Sequence, residues 1–419
     1  MRLPRLLPPD TAPVARPLLA ARGLRAFADG FIAVLLPIYL LERGFSAFDV
    51  GLISTVTMLG SAAFTLAVGL LGHRVDGRAL LLGACLLMTA TGLGFAFFDS
   101  LWPILAVAFL GTLNPSSGDV SVFLPLEQQA LAQAAAAEHR TAVFARYSLV
   151  GALAGALGAL AAGLPELISD SATPGAAALR PMFLLYAAIG LICLPLYVRV
   201  RDSHAVAPSK KTPLGASRGV VLKLAALFSV DVFAGGFALQ SILVLWLHDR
   251  HGFGAAEAGL FFFWSGLISA GSYLVAVPIA RRFGLINTMV FTHLPASLFL
   301  IGAAFAPDLW IALMFLLLRS ALSQMDVPAR TSYVMGIVAP EERAAAAAVT
   351  AIPRSLAAAL SPILAGGLIV TVPFLPLLLC GGLKIGYDLA LWGGFRSLKP
   401  PEEGVAAARR TRPSSGLGA

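Results

Sequence analysis

The chain has 419 residues, of which 58% are hydrophobic and only 12% charged, with a net charge of +8 and a mean hydropathy of +0.84. A soluble domain carries roughly 25% charged residues, so this composition cannot cover a water-facing surface and points to a membrane. The positive residues sit between apolar runs rather than on one polar domain, which excludes a nucleic-acid-binding module.

The first stretch, MRLPRLLPPDTAPVARP, lacks an apolar core of signal-peptide length, and residues 1–21 read as a short cytoplasmic tail. A bilayer-spanning helix needs about 20 apolar residues. Twelve segments meet that need: 22–43, 48–72, 79–98, 101–122, 141–165, 181–200, 219–247, 254–280, 285–305, 309–330, 343–370 and 373–395. The fourth and tenth carry polar residues in their second halves. Between the sixth and seventh, residues 201–218 are polar and basic, with Pro and Ser, and read as a cytoplasmic linker. Residues 396–419 form a basic tail. Most Lys and Arg outside the segments lie in even-numbered connections and the tails, whereas the odd-numbered connections hold Arg43, Arg180 and Arg250. The positive-inside rule then places both termini in the cytoplasm. The three cysteines, Cys85, Cys193 and Cys380, each lie inside an apolar run. That spacing suits neither a disulfide framework nor a metal site, and no cofactor is expected.

The chain repeats itself. GFSAFDVGL at 44–52 returns as GFGAAEAGL at 252–260, each phrase closing an outer loop and opening a segment. The offset of 208 residues also relates Arg74 to Arg282 and Arg146 to Arg354, and SGDV at 117–120 is answered by QMDV at 324–327. The expected fold is an all-α membrane protein with two six-helix repeats, 22–200 and 219–395. Six is an even number, so both copies share one orientation and are parallel repeats.

Twelve segments in two halves, a basic middle loop, and a Gly- and Arg-containing motif between segments two and three resemble the major facilitator superfamily of secondary transporters. That family's loop motif runs roughly G-x-L-A-D-R-x-G-R. Gly69, Leu71, Arg74 and Arg78 fit or nearly fit it, while His73 stands at the acidic position and Asp76 replaces the later Gly. In the second copy Ala280, Arg282, Phe283 and Gly284 fit, and Arg281 stands at the acidic position. The resemblance implies alternating access, with segments one and seven lining a central cavity. It is specific for fold and says little of substrate.

An embedded charge costs roughly 2.5–3.5 kcal/mol on insertion scales, so charges inside the segments must line an aqueous cavity or pair. Asp119, Arg146, Asp326 and Arg354 recur in both copies, toward the cytoplasmic ends of segments four, five, ten and eleven. Two readings stay open. Asp119–Arg354 and Asp326–Arg146 form a gate across the halves, made facing outward and broken facing inward, or Asp119–Arg146 and Asp326–Arg354 are fixed struts within each half.

Asp29 and Asp231 have no counterpart in the other copy, and Asp29 shares a face with Arg25 one turn away. Burial against a neighbouring Arg makes these acids, with Arg25, the candidates for proton coupling; a fixed ion pair is the alternative. Arg319 suggests either an anionic substrate group or a bond to one of the two acids. Asn114, Gln240 and Gln324 add neutral hydrogen-bonding groups. Pro115 and Gly118 in LNPSSGDV, and the run ALSQMDVP, loosen segments four and ten. Interruptions in corresponding helices of two halves point to a binding site. Lys384 and Asp388, one turn apart, read as a local pair. FFFW at 261–264 reads as packing before pocket. SPILAGG in segment eleven partly resembles the Gly-Pro motif of segment five in drug/proton antiporters, though packing of small residues explains it equally, as it does GALAGALGAL in segment five.

The expected function is secondary transport of a small organic molecule, with proton-coupled efflux preferred over uptake by symport and over a non-transporting sensor. An enzyme is not expected: SSGD and QMD do not make a G-x-G-D pair, and neither H-E-x-x-H nor a Walker A run is present. The partners expected are the substrate, protons and lipid, with no nucleic acid. The location is the cell (inner) membrane, and a monomer suffices.

Overall fold

The computed structural model describes residues 11–71, 76–116, 122–134, 139–169, 175–200, 214–215 and 217–398, and among these there is no strand. The helices of the first half are α1 Ala15–Glu42, α2 Ala47–Leu71, α3 Gly77–Phe97, α4 Leu101–Leu110, α5 Phe123–Ala134, α6 Arg140–Ala161, the short α7 Leu164–Ser169 and α8 Ala176–Val198. Those of the second are α9 Arg218–Gly236, α10 Gln240–His251, α11 Ala255–Phe283, α12 Leu285–Ala304, α13 Leu309–Leu322, α14 Asp326–Ile337, α15 Arg343–Thr371 and α16 Leu375–Phe395. Among the described residues, eleven helical stretches are long and apolar enough to cross a membrane, and Leu101–Leu110 is a shorter apolar helix.

Three of the expected segments are broken. The fourth divides into α4 and α5, where Pro115 lacks a donor and Asn114 Oδ1 accepts from Ser116 N at 3.0 Å and Ser116 Oγ at 2.8 Å. The tenth divides into α13 and α14 around 323–325. The seventh, expected to be continuous, divides into α9 and α10 at 237–239. There Leu239 is extended, at φ −57° and ψ 150°. The fourth and tenth stretches also run on to Ala134 and Ile337, beyond the expected ends at 122 and 330. At the other end of the chain, α1 starts at Ala15 rather than 22, because Ala15, Leu18, Leu19 and Ala21 are buried and Ala12 N donates to Ala134 O at 2.8 Å.

The two halves repeat the same packing. Helix α1 lies on α6 and α8 as α9 lies on α15 and α16, and α3 lies on α8 as α12 lies on α16. The repeated phrase now has a physical account. Gly44 and Gly252 adopt φ of 82° and 66°, a left-handed conformation that ends a helix and favours glycine. The acid five residues later caps the next helix: Asp49 Oδ2 accepts from Ser46 N at 2.8 Å, and Glu257 Oε2 from Gly254 N at 3.0 Å. The last glycine of each phrase is a seat for the other half. A Cβ on Gly51 would lie 2.4 Å from Pro362 O, and one on Gly259 would lie 2.4 Å from Ala159 O.

Thus α2 packs on α15 and α11 on α6, two seams across the halves. SPILAGG is the seat of α2, since Gly366 faces Ala47 O and Ile363 N donates to Thr55 Oγ1 at 3.0 Å. GALAGALGAL is likewise packing, with Gly158 against the Phe27 carbonyl. Of the aromatic run, Phe261 and Phe262 are buried in the core and Trp264 is exposed. Both seams lie toward the end of the bundle that carries the 43–46 and 252–254 turns. Between them sits α10, with Ile242 to Leu247 all buried, packed on α1. Buried from Gln240 to Leu247, α10 is enclosed by α1, α2 and α15 near the turn end.

Candidate functional site

Each half holds a buried charge network that ties its first, fourth and sixth stretches together. In the first half, the Arg25 guanidinium on α1 pairs with the Glu127 carboxylate on α5. Tyr147 OH on α6 donates to Glu127 Oε2 at 2.5 Å, Tyr197 OH on α8 donates to Oε1, and Arg25 Nε donates to Tyr197 OH at 3.1 Å. Arg25 also stacks 4.0 Å from the Phe123 ring centroid. Arg25 is 2% exposed and Glu127 fully buried, so a charged pair here is stable only because its lone pairs and donors are filled.

The second half reverses the polarity. Asp231 on α9 accepts from Lys384 Nζ on α16 at 2.6 Å and lies 3.1 Å from Arg330 Nη2 on α14. Arg330 also pairs with Asp326, one turn earlier on α14. His293 on α12 lies between two acids: Nδ1 is 3.0 Å and 3.1 Å from the Asp388 oxygens, and Nε2 is 3.7 Å from Asp231 Oδ1. Lys384 Nζ is 3.3 Å from His293 Nε2. An ammonium only donates, so Nε2 accepts and the ring proton sits on Nδ1, which donates to Asp388. Glu127 and Arg330 are each the fifth residue of the second piece of a broken helix.

Several expectations change. Lys384 and Asp388 are not a local pair: Lys384 reaches across to α9 and Asp388 to α12, because each finds a buried partner of opposite character there. Asp326 pairs with Arg330, because α14 continues far enough to bring Arg330 to it, and Arg354 is within its electrostatic reach. Arg146 Nη1 and Arg354 Nε are buried without a hydrogen-bond partner among the described residues. Arg25 is engaged by Glu127. Asp29, one turn on, is half-buried and within electrostatic reach of Tyr186, whose hydroxyl lies 3.1 Å from Thr112 Oγ1. Lys223 is exposed.

The neutral polar residues gather at the breaks. Asn114 lies in the α4–α5 break, Gln240 opens α10, and Gln324 lies between α13 and α14. Ser241 N donates to Pro115 O at 3.2 Å across the halves. Arg319 is in the last turn of α13, beside that break. In the loop motif, Gly69 is in the last turns of α2, and Arg78 N donates to the Asp76 carboxylate at 3.1 Å, capping α3. Gly284, at φ 88°, joins α11 to α12, with Arg282 beside Phe283. Arg74 and Asp119 lie outside the described residues.

Sequence reasoning missed Glu127, Arg330, His293 and Tyr197. Glu127 had a signal: Phe123, Leu126, Ala130, Leu131 and Ala134 recur at helical spacing, and Glu127 lies on that buried face. His293 is an ionisable residue inside an apolar span, which is a site candidate by default.

Paired helical halves, closed over one end by glycine-lined seams and holding buried charge networks at interrupted helices, define a multi-pass membrane transporter. The chain belongs to the major facilitator superfamily, whose sequence profile matches residues 18–362. Membership makes it a transporter and not an enzyme. It is 24% identical over 407 residues to an uncharacterized membrane protein of Saccharomyces cerevisiae, covering 88% of this chain and 91% of that one. Its fold is similar to the nucleoside transporter NupG, with a TM-score of 0.70 and 13% identity over 92% of this chain and 99% of that one. It is also similar to a D-xylose-proton symporter, with a TM-score of 0.71 and 16% identity over 93% of this chain and 98% of that one.

Proposed function

We propose that the protein moves a small organic molecule across the cell (inner) membrane by alternating access, coupled to protons, as a monomer of twelve spans with both termini cytoplasmic. Export is the preferred direction. Uptake is the second reading, favoured by the fold shared with a D-xylose-proton symporter. The observation that carries coupling is Asp231, a buried carboxylate held by cations from two other helices.

The steps follow from charge. While Asp231 is ionised, it holds α9, α14 and α16 together. A proton arriving on Asp231 cancels that attraction, and Lys384 and Arg330 turn to other partners. Once Lys384 leaves, His293 Nε2 is open to accept the proton, 3.7 Å from Asp231 Oδ1. Asp29 on α1 is the companion candidate in the first half, with Arg25 near it. Asn114, Gln240, Gln324 and Arg319 at the breaks contact the substrate. With the turn end on the outside, the seams α2–α15 and α6–α11 close the outer face, and the cavity opens to the cytoplasm.

The test is compound accumulation in an efflux-deficient bacterial host carrying wild type, Asp29→Asn, Asp231→Asn or empty vector, across toxic organic compounds and inorganic oxyanions. Wild type alone should lower accumulation of some compound, by at least several-fold. Wild type raising accumulation instead assigns uptake. If wild type and empty vector match for every compound, the transport reading fails.

The cytoplasmic charges keep their gate reading, in which Asp326 exchanges Arg330 for Arg146 as the cavity closes inward, while Asp119 takes Arg354. Loss of transport in Asp119→Arg should be restored by Arg354→Asp. Restoration by Arg146→Asp alone would make the set fixed struts.

A further inference from the structure

Among the described residues, the interior of the second half holds arginines beyond those its buried aspartates pair with. Among the described residues its buried acids are all engaged: Asp231 by Lys384 and Arg330, Asp326 by Arg330, Asp388 by His293, and Glu342 by the backbone N–H groups of Gly215 and Ser217. Two guanidinium groups make no salt bridge among the described residues, although Arg354 has Asp231 and Asp326 within electrostatic reach. Arg354 stands beside Arg330 on the same aromatic ring, their Cζ atoms 6.0 Å and 5.3 Å from the Phe228 centroid, and its Nε is buried without a hydrogen-bond partner among the described residues. Arg319 is half-buried on α13. The titratable side chain within its electrostatic reach among the described residues is Cys380, one turn from Lys384 on α16, and a thiol is no counterion at neutral pH.

Embedded arginines are costly without an anion. A guanidinium left open at a helix break, with five donors in a planar fork, is suited to a carboxylate or phosphate. Neither Asp29 nor Asp231, the two acids that could have answered Arg319, reaches it, since both lie elsewhere in the networks.

We infer that the transported molecule is an organic anion whose carboxylate or phosphate is received by Arg319, with Arg354 as a second cation of the same half. The inference rests on the transport reading above and names its substrate class. An anion at Arg319 supplies the charge the chain does not, without displacing Asp231 from Lys384. Binding and proton coupling therefore use different groups, and a proton can change the fold's grip on α16 while the substrate is held on α13.

The test uses full-length protein in phosphatidylcholine nanodiscs at fixed ionic strength. Thermal unfolding is followed against matched pairs: benzoate and benzamide, glutarate and glutaramide, glycerol 3-phosphate and glycerol. Wild type, Arg319→Gln, Arg319→Lys and Arg354→Gln are compared. At least one anion should raise the wild-type Tm saturably while its neutral twin does not. Arg319→Gln should weaken that binding at least tenfold, Arg354→Gln less, and Arg319→Lys should retain part of it. A neutral twin that stabilises equally overturns the inference, as does an anion bound by Arg319→Gln as tightly as by wild type. A flat response to every anion also overturns it. Adding phosphatidylglycerol separates sources: if the lipid displaces the anion, the site belongs to a headgroup and not to a solute. Failure of the transport reading is seen separately. Anion binding without transport defeats that reading alone, whereas transport of a neutral compound unaffected by Arg319→Gln defeats this one alone.

Discussion

Asp231→Ala is expected to stop coupled transport and to destabilise the protein by about 3–5 kcal/mol, the usual consequence of removing one partner from a buried charged set. The carboxylate is 3% exposed and neutralises Lys384 at 2.6 Å and Arg330 at 3.1 Å. Arg330 retains Asp326, but among the described residues the remaining hydrogen-bond contact of Lys384 is the His293 ring at 3.3 Å. The ammonium is thus the orphan, and its removal should repair the damage. Asp231→Asn with Lys384→Met should recover most of the lost thermal stability while leaving transport dead. Thermal unfolding in detergent reads the first effect and accumulation reads the second. If Asp231→Ala unfolds at the wild-type temperature, the charges are hydrated from the cavity and the buried network is not what joins α9 to α16.

Glu127→Ala should produce a loss of similar size in the first half, again about 3–5 kcal/mol. It removes the acceptor for Arg25, Tyr147 and Tyr197 together and leaves a guanidinium that is 2% exposed. The two networks then part company. Among the described residues, no histidine bridges Glu127 to a second acid as His293 bridges Asp388 and Asp231. The first-half network is therefore expected to act as a strut, with Arg25 held by Glu127 and coupling in that half left to Asp29. Arg25→Met with Glu127→Met should restore stability to near the wild-type level and preserve transport, since a buried pair exchanged for apolar residues of similar volume is often neutral. Restored stability with transport abolished would give this pair a part in the transport cycle.

How much of this could be read from the sequence depended on which physical signal each element carries. Hydropathy located the apolar stretches, because about 20 apolar residues in a row have one stable use, but not the start of the first or the ends of the fourth and tenth. The repeat was legible for a reason the structure makes plain. Gly44, Asp49 and Gly51, and their partners Gly252, Glu257 and Gly259, each do a backbone job that few other residues can do. The breaks at Pro115 and 323–325 were visible as polar residues in apolar runs. The break after Gly236 was not, because GGFALQ carries no Pro and its hydropathy stays high.

Charge partners were the least legible. Periodicity places Lys384 and Asp388 on one helix face, yet the pairing that forms is decided by what α9 and α12 present to that face. Ending the fourth stretch at 122 and the tenth at 330 had a direct cost. It put Glu127 in a loop and Arg330 at a terminus, and so hid both networks.

The central claim is that the two halves rock about the bundle's middle, so that one end closes as the other opens. Spin-label distances across the α2–α15 seam test it without knowledge of the substrate. With Cys85, Cys193 and Cys380 replaced, labels are placed at Phe48 and Val370 near the turn end, and in a second protein at Leu66 and Ile352 toward the other end. All four positions are more than a third exposed. The account predicts two populations whose weights shift with pH or bound anion, with the Phe48–Val370 distance lengthening as the Leu66–Ile352 distance shortens. Two distances that stay fixed under every condition, or lengthen together, would contradict alternating access in this protein.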